Sequence, residues 1–96
     1  MKADYDSKAN ALSIDLVEAG RWEYSDEVQS RVNVAIAGGR PVNVELLYPD
    51  LGLEEPLRAV ASRYALDFEA LVAAARAAIA APDRVVTLEV SVRAAA

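Results

Sequence analysis

The 96-residue chain contains no cysteine and no histidine. Those two absences together remove the disulfide, the Cys/His zinc site, the thiolate nucleophile and the imidazole base. No glycine-rich phosphate loop is present either, so a nucleotide is offered no backbone cradle. Long apolar runs are missing: the longest are Ala70 to Ala75 and Ala77 to Ala81, split by Arg76. Both are far short of the roughly 20 residues that a membrane span needs. Lys2 is followed by Asp4 and Asp6, which leaves no apolar signal-peptide core. No membrane association and a cytoplasmic location are expected. A basic excess is also lacking, with 10 Lys+Arg against 15 Asp+Glu and a net charge of −5. Nucleic-acid binders usually show a basic face, so nucleic acid is not an expected partner. The arginines Arg58, Arg63, Arg76 and Arg84 read as solvated surface in preference to an RNA track.

What is present is apolar and small. Twenty alanines and twelve valines bring the hydrophobic fraction to 54%, which argues against disorder. A single domain over residues 1–96 is expected, since domains typically run to about 100–150 residues. A domain of this size buries only roughly 60–68% of its unfolded surface, which favours reliance on a partner. The charge is uneven. Residues 1–55 carry five basic and eleven acidic side chains, whereas residues 56–96 carry five basic and four acidic ones. An acidic first half suits a basic protein partner through steering and complementary fields, and serves solubility in any case.

The first half is written in period two. Ala3 and Tyr5 alternate with Lys2, Asp4 and Asp6, and Leu12, Ile14 and Leu16 with Ser13, Asp15 and Val17. These are half-buried strands, joined by the turn-rich link Ser7-Lys8-Ala9-Asn10. A second hairpin sets Val32, Val34 and Ile36 against Val42, Val44 and Leu46 across Gly38-Gly39-Arg40. Gly39 supplies a positive φ there, and Pro41 belongs at a strand start or on an edge. Trp22 to Val28 suits a short, irregular strand between the hairpins.

After Pro49-Asp50-Leu51-Gly52 the period becomes 3.6. Pro56 suits the first turn of a helix with Leu57, Val60, Ala61 and Tyr64 on one face. A longer helix from Phe68 to Ala81 has Asp67 as N-cap and Leu66 and Leu71 at the spacing of a hydrophobic staple. Its predicted apolar face is Phe68, Leu71, Val72, Ala75 and Ile79, and Pro82-Asp83 stops it. A final strand sets Val86, Leu88, Val90 and Val92 on one face. The expected fold class is α+β: a mainly antiparallel sheet of four to six strands, with two C-terminal helices packed on one face, in the order β-β-(β)-β-β-α-α-β. Residues 2–48 form the β-meander, and 49–96 the helical pair plus the last strand.

The opening YDSKANALSI, Tyr5 to Ile14, together with Gly39-Arg40-Pro41-Val42-Asn43-Val44-Glu45-Leu46-Leu47, resembles a widespread family of short prokaryotic proteins of unknown function. Its members open with a Tyr-Asp pair, three variable residues, an Asp or Asn, then Ala-Leu and an alternating strand. The resemblance covers about residues 2–48. It brings no catalytic residues with it. Some members look like the antitoxin halves of toxin–antitoxin pairs, so the resemblance implies a protein partner. Read physically, the same motif specifies a fold: Tyr5 packs its ring in the core with the hydroxyl at the rim, and Asp6 and Asn10 bond backbone amides to fix the turn.

Two sets of residues are candidates for a site. Asp4, Asp15 and Glu45 fall on the polar face of the predicted sheet, where paired carboxylates could bind Mg²⁺ or act as acid and base. Solvated charges that discourage edge pairing are the plainer reading, so no metal, no cofactor and no catalysis are expected. Trp22 and Tyr24, on one strand face beside Arg21, have the composition of an interface hot spot, with core packing under the long helix the plainer reading. Val86, Leu88 and Val90 could complete the sheet or add to another subunit's edge. The expected function is a protein-interaction module that forms a homodimer or binds a basic protein, in its sharpest form as an antitoxin-like inhibitor. The alternative is a small carboxylate-based, metal-dependent enzyme or ligand-binding protein.

Overall fold

The computed structural model describes residues 1–18 and 20–89. Two strands open the chain, β1 (Lys2–Asp6) and β2 (Ala11–Asp15), followed by β3 (Tyr24–Gln29), β4 (Val32–Ala37) and β5 (Arg40–Leu47). A 3₁₀ turn (Pro49–Leu51) leads to α1 (Glu54–Tyr64), α2 (Phe68–Ala80) and a two-residue strand β6 (Val86–Thr87). The six strands form one antiparallel sheet in the order β3-β4-β5-β2-β1-β6. Both helices lie on one side of it, α1 against β3 and β4, α2 against β1, β2 and β6. The α+β class and the element order match the expectation from periodicity.

The first hairpin forms for reasons local to it. The Asp6 carboxylate accepts from the Lys8 and Ala9 amides at 3.0 and 3.1 Å, which closes the turn as Asp side chains commonly do. Asn10 acts differently from the expectation. It sits at φ 52°, accepts the Tyr5 hydroxyl at 2.7 Å, and donates to Asp50 at 2.8 Å. Its amide therefore ties the hairpin to the 3₁₀ turn instead of capping its own backbone. In the β4–β5 hairpin, Gly38 and Gly39 both have positive φ, as a two-residue turn matched to strand twist requires. Pro41 is the second residue of β5 and not its start. It stands opposite Ile36, where the register slips by one residue, and a bulge tolerates the missing amide donor.

The core is shared by both halves of the chain. Leu12, Ile14, Val32, Val34, Val44 and Leu46 meet Leu57, Val60, Leu71, Ala74, Ala75 and Ala78, all fully buried. Alternation in the strands and 3.6-residue spacing in the helices bring these faces together. Leu66 and Leu71 are buried around the Asp67 cap, whose side chain accepts from the Ala70 amide at 3.2 Å. Leu71, Val72 and Ala75 of the predicted face of α2 are buried, joined by Ala70, Ala74 and Ala78, while Phe68 and Ile79 are only half-buried. Small side chains on this stripe allow the helix to approach the sheet closely, and Phe68 instead carries the Arg58 guanidinium 4.0 Å above its ring. The last strand is shorter than its alternation suggests, with Val86 opposite Ala3 and the Leu88 amide bonded to the Met1 carbonyl. Val90 and Val92 lie outside the described residues.

Candidate functional site

Helices cover one face of the sheet, and register decides what the opposite face displays. One row across it runs Asp4, Ser13, Glu45, Asn33 and Glu27, each opposite the next. The neighbouring row runs Thr87, Lys2, Asp15, Asn43, Ala35 and Ser25. The three sequence candidates Asp4, Asp15 and Glu45 therefore share this face. Asp4 and Glu45 flank Ser13 from opposite sides, two strand spacings or about 10 Å apart along the sheet. Asp15 lies diagonal to Asp4. Among the described residues no group of three Asp, Glu, His or Cys side chains stands close enough to hold a metal ion.

The polar centre of the face is Asn43, which alternation marks only as an outward residue. It is 3% exposed, and its Nδ2 donates to Ser13 Oγ and to Asp15 Oδ1, both at 2.8 Å. An amide with two donors is suited to join a hydroxyl and a carboxylate on a neighbouring strand. The only sequence signal for this is an Asn among strand valines, aligned with Ser13-x-Asp15. Crowding of charge shows at Asp4, whose carboxyl is held above its ordinary 3.8 by burial first, then by the carboxylates of Asp15 and Asp6.

Trp22 stands on the same face. The link from β2 to β3 must pass the ends of β5 and β4 to reach the far edge of the sheet, and Trp22 belongs to that link, not to a strand. It is 55% exposed. On one side it borders a hollow of about 170 Å³ with Ser25, Asn33, Asn43 and Glu45. On the other it borders a cleft of about 340 Å³ with Lys2, Asp15, Leu16, Val17, Glu18 and Val42. Leu16 and Val42 are buried, and Val17 is exposed. Trp22 and Tyr24 do not share a strand face as predicted. Tyr24 begins β3 opposite Ile36, a core residue on the helix side, and is 60% exposed at the sheet edge. The β-pairing sets these faces, and the aromatic spacing alone could not.

Two of the other interface candidates, Val86 and Leu88, are drawn into the fold. Val86 is half-buried in β6, and Leu88 packs against the chain's own core, so neither offers a free apolar surface. Val90 lies outside the described residues. Three members of the arginine stripe have partners within the chain: Arg58 with the Phe68 ring, Arg63 with Asp26 at 2.9 Å, and Arg76 with Glu54 at 3.3 Å. Arg84 is exposed. Arg31, which no local sequence pattern singles out, adopts φ 77° and donates to the carbonyls of Leu47, Tyr48 and Gly52. It anchors the turn between sheet and helices. No helix among the described residues is long and apolar enough to cross a membrane.

No family model matches the chain, and neither a curated protein nor a solved structure shows significant similarity to it.

Proposed function

We propose that this chain is a protein-interaction module whose uncovered sheet face receives a basic protein partner. One observation carries the reading: among the described residues helices cover only one face of the six-stranded sheet, and the other face displays Asp4, Asp15 and Glu45, with the half-exposed Trp22 beside Asp15 and Glu45. An exposed aromatic beside a polar, acidic surround is the composition of an interface with a central anchor. Charge selects the partner's sign. A second copy laid face to face would set carboxylates against carboxylates, whereas a basic surface is complementary and is steered on approach. Arg58, Arg63 and Arg76 are engaged within the chain, and Lys2 is the cation that the cross-strand rows set among the carboxylates. An antitoxin-like inhibitor that covers a basic protein is the sharper form of this reading, and it is supported only by the resemblance of Tyr5 to Ile14 and Gly39 to Leu47.

The test is a tagged pull-down from the native host at moderate salt, with mass spectrometry of stoichiometric bands. A basic protein that is retained by the parent chain and lost from Trp22→Ala and Glu45→Lys is the expected result. Recovery of the chain alone, or of a partner that is unaffected by both variants, refutes the reading. Loss of toxicity of the partner's gene on co-expression with this chain tests the inhibitor form.

A further inference from the structure

We propose that the cleft beside Trp22 is a subsite for one arginine or lysine side chain of a protein ligand, an inference that rests on the basic-partner reading above. Its lining has the two parts that such a side chain needs. Leu16, Val42 and Val17 line it, the first two buried and Val17 exposed, an apolar bed for an aliphatic stem. Asp15 and Glu18 bring carboxylates to the same cleft. The Trp22 ring forms a wall, and an exposed indole is the strongest of the aromatic partners for a cation. At about 340 Å³ the cleft is at the small end of the range for ligand sites, which suits a single side chain with its flanking backbone.

The carboxylates are arranged for a cation. Asn43 orients Asp15 through Oδ1 at 2.8 Å, and no other side chain hydrogen-bonds Asp15 among the described residues. Glu18 is paired with Lys2 across 3.6 Å, and its side chain is 92% exposed. Such an exposed, long pair is weak and is readily exchanged for an incoming cation. Met1 also lines the cleft, and its ammonium donates to the Leu88 carbonyl oxygen at 3.1 Å. Lys2 is thus an internal competitor for the ligand's charge. An anionic ligand would instead depend on Lys2, so that side chain separates the two possibilities.

The chain has a single tryptophan, so its intrinsic fluorescence reports this cleft directly. The experiment titrates the full chain with a blocked Val-Arg-Val tripeptide and with its uncharged citrulline counterpart, following Trp22 emission and backbone amide shifts. Saturable binding of the arginine peptide, at least about ten-fold weaker for citrulline, is expected. The shifts should centre on Lys2, Asp15, Val17 and Val42. Lys2→Ala should tighten binding severalfold, and Glu18→Gln, at an exposed position that does not threaten the fold, should weaken it. Equal affinity for citrulline, loss of binding in Lys2→Ala, or no saturation by about 1 mM overturns the subsite. Shifts confined to Asp4, Ser13 and Glu45 also overturn it but leave the broader basic-partner reading standing. That reading falls separately, if the pull-down yields no basic partner.

Discussion

Asn43 is the point on the open face where a single atom change has the largest calculable effect. It is 3% exposed, and its Nδ2 donates to Ser13 Oγ and Asp15 Oδ1. A neutral hydrogen bond contributes about 1 kcal/mol net, and one to a charged group about 1.5–3 kcal/mol. Ser13 is half-buried and Asp15 exposed, so water can reach both after the amide is removed and the low end applies. Asn43→Ala is therefore expected to cost about 2 kcal/mol, or a Tm loss of about 8–16 °C for a domain of this size. Asn43→Asp should cost more at neutral pH, because a buried carboxylate then faces Asp15 without a proton between them. Its folded-state pKa lies above the unfolded one, so the variant recovers stability as pH falls and the carboxyl pair takes up a shared proton. Urea unfolding followed by Trp22 emission and by far-UV circular dichroism measures both variants. A loss below about 0.5 kcal/mol for Asn43→Ala, or Asn43→Asp as stable as the parent at neutral pH, refutes the argument that this amide organises the face.

Three further outcomes are expected. Leu71→Ala empties a fully buried position between α2 and the sheet and should cost about 2–5 kcal/mol in urea unfolding; a loss under about 1 kcal/mol contradicts the packing of that helix. Asp4 has its folded-state pKa above the ordinary 3.8, so its stabilising contribution is full below that value and is lost as pH rises through the folded pKa. Asp4→Asn should accordingly raise Tm at neutral pH and match the parent in acid, and identical melting at neutral pH counts against the crowding. Asp83 shows the opposite sign: the Ser7 hydroxyl, then the Ser7 amide, hold its carboxyl below 3.8. The contact stabilises above that value and fades as pH falls through the folded pKa. Ser7→Ala should move the Asp83 titration, followed by carboxyl NMR, back toward 3.8, and an unmoved titration removes the hydroxyl as the cause.

Much of the fold was legible because its causes are local. Period-two alternation in Leu12, Ile14, Val32 and Val34, the Asp6 turn, the Gly38-Gly39 reversal and the Asp67 cap each act within a few residues. Backbone geometry alone ties them to strand, turn or helix start. The inward stripe of α2 was legible only in part. Alanine and isoleucine are both apolar, and composition alone does not say that Ala74 and Ala78 are buried while Ile79 stays half-buried.

For the candidate site, composition and alternation determined that an acidic polar face exists and that Asp4, Asp15 and Glu45 lie on it. The tertiary structure decided everything about their mutual placement. Pairing of β5 with β2, residues some thirty positions apart, brought Asn43 to Ser13 and Asp15. The slip at Ile36 and Pro41 marks where the β4–β5 pairing turns irregular. Passage of the β2–β3 link across the sheet placed Trp22 over the open face, while Tyr24 went to the helix side. The physical reason is common to all three. Side-chain periodicity is a property of one strand, but register, strand order and the path of a link depend on contacts between segments far apart in the chain. A one-residue shift in any of them would have moved the aromatic and the carboxylates to opposite sides of the molecule.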